Sequence, residues 1–297
     1  MNGILGVNKP QGFTSFDVIA KLRGILQTKR IGHGGTLDPM ATGVLPVFIG
    51  TATKACDIIP DDSKTYIADF RFGLTSDTQD ITGNILSESD KKVSLKELKA
   101  VIPEFIGNIM QIPPMYSAVQ VNGKRLYDLA RQGIEVERKP RNIEVKHIKL
   151  YKYNEETQEG TIEICCGKGT YIRTIIHDIG ERLGCGGVMT ALERIQSGGF
   201  SLSDCFTLEE IQQAKDENRL EKMIIPIKYM FAGLPQLKLN EVQTRMYKNG
   251  VKLDLNRINH IKPEFSEYSV YGYDHEFIGV ARADFEKSEL RVVKNFI

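Results

Sequence analysis

Residues 160–183 change periodicity midway. GTIEICCGKG alternates side chains as a strand does, and directly after it Ile172, Ile175, Ile176, Ile179 and Leu183 recur at helical intervals. A strand running straight into a helix needs a fold with both kinds of layer, and it puts Tyr171 and Arg173 at the turn between them. The mixture recurs upstream. Thr14 and Asp17 have capping-box spacing ahead of Val18, Ile19, Leu22, Ile25 and Leu26, which predicts a core-packing helix. VLPVFIG is a short apolar strand, and KTYIADFRFG (64–73) alternates like a half-buried one. Asp77, Thr78, Asp80 and Gly83 mark a polar loop. Ser94 and Glu97 open a second capped helix that Pro103 ends or distorts. Residues 113–133 carry a rigid Pro-Pro entry, a hairpin signal at Asn122-Gly123 and a helix from Leu126 to about Gln132. IEVKHIKLYKY reads as another strand.

The 297 residues exceed the usual size of one domain. Composition changes near Phe231-Ala-Gly-Leu-Pro235, which reads as a linker. The expected division is 1–231 and 232–297, the second part holding a helix at 240–248 and strands at 268–273, 277–282 and 290–296. No apolar run reaches about 18 residues, and MNGILGVNKPQG lacks a basic-then-apolar leader, so no membrane and a cytoplasmic location are expected. The five cysteines form no CxxC pair and the five histidines are scattered, which predicts neither a metal site nor a disulfide framework.

The formal net charge is only +1, but it is unevenly spread. Residues 9–54 hold six Lys and Arg against two Asp and Glu, and residues 117–152 hold nine against four. Residues 55–104 and 153–227 are net acidic. This clustering is a local polyanion footprint, with Lys124, Arg125, Arg131 and Arg141 as expected phosphate contacts.

GHGGTLDPMATG (32–43) has neither periodicity and reads as an ordered loop presenting His33 and Asp38. Phosphate cradling fits it poorly: GxxxxGK[ST] is absent, and a GxGxxG from Gly32 would need glycine where Leu37 stands. A glycoside hydrolase would need a second carboxylate within ~5–10 Å of Asp38. A non-catalytic RNA-binding module is the remaining rival to an enzyme.

GHGGTLDPMATGVLPVFIGTATK, KTYIADFRFG, QIPPMYSAVQVNGKRLYDLARQGIEVER and CCGKGTYIRTIIHDIGERLG resemble, in order, the successive motifs of the TruB family of tRNA pseudouridine synthases. The likeness runs through roughly residues 3–210, and the C-terminal unit is similar to the family's PUA-type RNA-binding domain. It implies an α/β (α+β) catalytic domain on a mixed, mainly antiparallel sheet. It also implies isomerisation of uridine 55 in the tRNA T loop, with a flipped-out base and with no metal or cofactor. Asp38 matches the family's nucleophilic aspartate, Tyr66 its active-site tyrosine and Arg173 its active-site arginine. His33 matches a T-loop contact, Tyr171 and Leu192 match positions lining the family's uridine pocket, and Lys9 matches a lysine near the site. Gly34 stands where many members have threonine. The expected partner is the tRNA T-arm and the expected state a monomer. A role in tRNA folding can accompany the activity. Attack on the ribose, attack on the base and a glycal-type intermediate all remain open.

Overall fold

The computed structural model describes residues 1–60, 63–121 and 123–297, so Asn122 of the hairpin signal lies outside the described residues. Strand β1 (Gly3–Lys9) is buried along almost its whole length and leads through a turn into helix α1 (Ser15–Leu26). Thr14 caps that helix as its spacing predicts. Its hydroxyl accepts from the Asp17 N–H, while the Asp17 carboxylate accepts from the Thr14 N–H. The glycine loop joins β2 (Ile31–His33) to β3 (Thr42–Ile49), and β4 (Lys64–Phe72) is the alternating segment. Helix α2 (Leu95–Val101) gives way at Pro103 to a 3-10 turn and then to β5 (Gly107–Gln111).

Two-residue strands at 120–121 and 124–125 pair antiparallel around the hairpin signal, and α3 (Leu126–Ala130) follows. This helix is shorter than its pattern predicts, because Gly133 takes a left-handed conformation and Ile134 donates back to the Leu129 carbonyl. Beyond it come β6 (Arg141–Asn154), β7 (Glu159–Cys166), α4 (Ile172–Leu183), β8 (Gly187–Ser197) and β9 (Phe200–Ser201).

These strands form one sheet in the order β1-β3-β8-β4-β7-β6-β5, with β2 added to β3 and β9 to β8. Between these strands, among the described residues, the parallel ladder is β8 with β3, matching Glu193 to Thr42 and Arg194 to Gly43. The sheet is mixed and mainly antiparallel, as expected. That parallel contact lays β8 directly beside the exit of the glycine loop.

The helices bury stripes against this sheet. Ile172, Ile175, Ile176, Ile179 and Leu183 of α4 pack with Phe70 and Phe72 of β4 and Ile162 and Ile164 of β7. Each such side chain contributes roughly 1.5–3 kcal/mol when fully buried. Helix α1 and α5 (Leu208–Asp216) form a second cluster with β1 and β3. The Thr207–Glu210 capping box opens α5, a signal present in the sequence though no helix is predicted there above.

Asp178, on the solvent side of α4, illustrates how the fold charges for a half-buried carboxyl. Burial pushes it up to about 6, with the Glu181 charge adding to the rise and His177 opposing it. A raised carboxyl means that the folded chain holds a proton the unfolded chain has released, so stability falls as pH rises from about 4 to about 6. Asp178→Asn is therefore expected to raise the melting temperature at pH 8, by about 2–4 °C for each kcal/mol regained, and to change nothing at pH 4. Melting curves at the two pH values check it.

The C-terminal part is a five-stranded sheet ordered β10-β12-β13-β14-β11: β10 (Gln236–Lys238), β11 (Leu253–Asp254), β12 (Glu267–Tyr271), β13 (Phe277–Asp284) and β14 (Glu289–Asn295). Helix α6 (Glu241–Lys248) is capped by Asn240. Phe231, at the head of the expected linker, is buried in a cluster with Val44 and Phe48 of the large sheet, Val280 of the small one and Phe296 just beyond its last strand. Lys54 also donates to the carbonyls of Asn295 and Ile297. The two sheets are therefore docked on each other.

Candidate active site

The loop between β2 and β3 is held from beneath. Ser15 at the start of α1 accepts from the Leu37 N–H at 2.9 Å and donates to the Leu37 carbonyl at 3.3 Å. Gly12 N–H donates to the Pro39 carbonyl at 2.8 Å. Lys9 is fully buried, and its ammonium donates to the carbonyls of Pro10, Phe13 and Pro39. Burial lowers it to about 8, the Asp38 charge opposing that fall and the Arg194 charge adding to it. Lys9 thus supports the loop from its inner side. Gly43, where the loop enters β3, has φ +100, and a Cβ there would stand 2.2 Å from the Arg194 carbonyl oxygen, so only glycine lets β3 and β8 meet.

Asp38 emerges from this braced loop with its side chain 39 % exposed. Arg173, one residue into α4 and 6 % exposed, faces it: Nη2 lies 3.3 Å from Asp38 Oδ2 and also donates to the Tyr116 carbonyl at 2.6 Å. Nη1 lies 3.6 Å from Asp80 Oδ2 and 3.5 Å from the Thr78 carbonyl. Asp80 is fixed in turn, because its other oxygen accepts from the Thr82 N–H and from the hydroxyls of Thr78 and Thr82. A planar fork with four acceptors around it has little freedom, and it carries one positive charge between two carboxylates.

Tyr171 is the N-cap residue of α4, and the Gln111 amide secures it by accepting from its N–H at 2.9 Å and donating to its carbonyl at 3.1 Å. This clamp sets the position of the first turn that carries Arg173. Tyr66 of β4 and Leu192 of β8 are buried in one cluster with Leu37 of the loop. Burial raises the Tyr66 hydroxyl, while the Arg194 charge beside it opposes the rise. His33 ends β2 half-buried; burial and Arg194 hold its imidazole below the usual value, so it is neutral at pH 7.

Lys124, Arg125, Arg131 and Arg141 are all exposed and lie outside this group. Arg131 stacks over the Tyr127 ring at 5.1 Å. Their segment still touches the site through the Tyr116 carbonyl. A cleft of about 390 Å³ lies behind that contact, lined by Gln79, Tyr116, Arg138 and His177 among others and by neither Asp38 nor Tyr66.

Asp80, Gln111, Tyr116 and Arg194 are absent from the sequence-based expectations. Asp80 was visible only as part of a polar loop, and nothing local joins it to Arg173. Arg194 had a signal: it shares the inward face of β8 with Leu192. Asp80 is the second carboxylate that a glycoside hydrolase would require, but it is buried behind the guanidinium with its oxygens engaged, closed to any substrate. Among the described residues no group of three or more His, Cys, Asp or Glu side chains could hold a metal ion, and no helix is long and apolar enough to cross a membrane.

Residues 23–172 match the N-terminal domain of TruB family pseudouridylate synthases, and residues 173–232 match the tRNA pseudouridylate synthase B C-terminal domain. A tRNA pseudouridine synthase B of Clostridium perfringens (strain 13 / Type A) is 42 % identical over 286 residues, covering 96 % of each chain. One from Clostridium kluyveri is 40 % identical over the full length of both. Among solved structures, a Cbf5-Nop10-Gar1 complex contains a chain that matches with TM-score 0.76 at 25 % identity, covering 99 % of this chain and 85 % of that one. The matches span both the braced aspartate loop and the helix that carries Arg173, and the chain belongs to the TruB family of pseudouridylate synthases, which makes it an isomerase.

Proposed function

We propose that this enzyme isomerises uridine 55 in the T loop of tRNA, with Asp38 as the nucleophile acting on a flipped-out nucleoside. The observation that carries the reading is the half-exposed Asp38 carboxylate, held by a guanidinium that three further groups immobilise. In the reaction the bond from C1′ to N1 breaks, the base turns and C1′ bonds to C5. C5 loses a proton and N1 gains one, so composition and oxidation state are unchanged. The residues therefore have three tasks: to hold an extruded base, to supply a carboxylate and to move one proton.

Arg173 stays on the Asp38 carboxylate when a bound base covers it and fixes the direction in which that carboxylate points. Tyr66 is the stacking surface and the proton carrier. Such stacking contributes about 1–3 kcal/mol per base. A single-stranded loop makes extrusion inexpensive. His33, Tyr171 and Leu192 surround the nucleoside, and Lys9 supports the loop beneath it. Residues 1–231 form the catalytic domain. Residues 232–297 act as a PUA-type RNA-binding unit, and the protein works as a monomer.

The backbone of the T-arm is held by Lys124, Arg125, Arg131 and Arg141, which are all exposed. Replacing any one with alanine is expected to weaken T-arm binding and to lower the slope of log affinity against log salt by roughly 0.7–0.9. Titrations at several salt concentrations check this; an unchanged slope in all four variants contradicts the assignment. The function itself is tested by mapping pseudouridine in total tRNA lacking the modification, after incubation with the purified protein. One new site at T-loop position 55 is expected. No new site, or sites only elsewhere, would overturn the proposal.

A further inference from the structure

Arg194 is among the largest fully buried side chains of the protein, yet no carboxylate pairs with it among the described residues. Its Nε donates to the Val44 carbonyl at 2.7 Å and its Nη2 to the Gly35 carbonyl at 3.1 Å. Nη1 is buried with no hydrogen-bond partner. A buried ion without a counter-ion is costly, and an apolar side chain of similar volume is often as stable or better. Arg194 nonetheless stands at the back of the active site with one nitrogen left to donate.

Position shows what for. Arg194 of β8 stands directly opposite Tyr66 of β4 in the antiparallel register, a pairing that sets Cβ atoms about 4.5–5.5 Å apart on one face. Nη1 also lies 3.5 Å from the point that a Cβ on Gly35 would occupy, against the backbone of the Asp38 loop. Other titratable groups feel the same charge: Lys9 of β1, His33 of β2, Cys166 of β7 and Cys205. Burial leaves both thiols neutral, pushed up to about 11 and about 12. Asp38 acts on Tyr66 in the opposite sense. Tyr66 is thus the one group in the set whose negative form the reaction needs and the guanidinium favours.

We propose that Arg194 is a positioning residue for Tyr66: clamped on the Val44 and Gly35 carbonyls, it presents Nη1 to the phenolic oxygen and stabilises negative charge there during proton transfer. This rests on the pseudouridine-forming reading above. In that step the C5 proton passes to the Tyr66 oxygen, which has given its own proton to N1, and the C–H electron pair re-forms the C5–C6 double bond.

The test uses wild type, Arg194→Met, Arg194→Lys and the same changes in a Tyr66→Phe background. Single-turnover pseudouridine formation is measured from pH 6 to pH 10. In parallel, ¹⁹F NMR of 3-fluorotyrosine-labelled protein without RNA follows the Tyr66 titration, assigned by its loss in Tyr66→Phe. Arg194→Met is expected to slow the single turnover by about 10²–10⁴-fold with T-arm affinity unchanged. It should also move the Tyr66 titration upward by at least about one pH unit. Arg194→Lys should restore most of the titration shift, and Arg194→Met should add nothing to Tyr66→Phe. An unmoved titration, or equal slowing with and without the Tyr66 hydroxyl, overturns the inference. Should Arg194→Met not fold, Arg194→Gln decides by the same two readouts. If wild type forms no pseudouridine, the function proposed above fails, whereas the NMR titration still judges the Arg194–Tyr66 coupling.

Discussion

Asp38→Ala is expected to bind a T-arm stem-loop as wild type does and to release no tritium from RNA labelled at uridine C5, a loss of at least about 10⁴-fold. The size follows from the position of the side chain. Asp38 projects from a loop whose backbone is held by Gly12, Ser15 and Lys9, so removing its carboxylate leaves the loop in place. No other carboxylate can substitute, because Asp80 is closed off behind Arg173. Folding and binding should therefore survive while the chemistry disappears. A non-catalytic tRNA-binding module makes the opposite forecast: its tritium release would be nil in wild type as well.

Arg173→Met should be the second most damaging change, and it should act on stability and on rate separately. Removing the guanidinium leaves Asp80 buried without its cation, and breaking a buried pair in this way costs about 3–5 kcal/mol. It also frees Asp38 from the contact that fixes its carboxylate, for which a loss of about 10²–10³-fold in kcat is expected. The double variant Arg173→Met/Asp80→Asn separates the two effects. Its melting temperature should recover most of the loss, since no buried charge is then left unpaired, while its rate should stay as low as that of Arg173→Met. Recovery of rate in the double variant would mean that Arg173 matters only for folding. Arg173→Lys is a poor substitute because one ammonium cannot meet two carboxylates and two carbonyls in one plane.

The parts of this structure that could be read from sequence are those whose cause is local. Capping boxes at Thr14 and Ser94 and the apolar stripe of α4 depend on residues three or four positions apart, and each appears where its spacing puts it. The glycine loop showed itself by lacking any period. What spacing leaves out is contact between distant segments. Asp38 and Arg173 are 135 positions apart, and the sheet order that unites them turns on the parallel pairing of β8 with β3. Family likeness, not periodicity, placed these two residues in one site. The same distance hid Asp80 and Tyr116, which hold the far side of the guanidinium. Lys9 was placed near the site by family likeness alone: a lysine in an Asn-Lys-Pro turn reads as solvent-facing, and only three converging carbonyls make its burial tolerable.

The most direct test of the account is a crystal structure of the protein with a T-arm stem-loop bound. The expected result is an everted uridine lying between the Tyr66 ring and the Asp38 carboxylate, with Arg173 still on that carboxylate. A structure in which Asp38 faces bulk water and no extruded nucleotide approaches it would contradict the account.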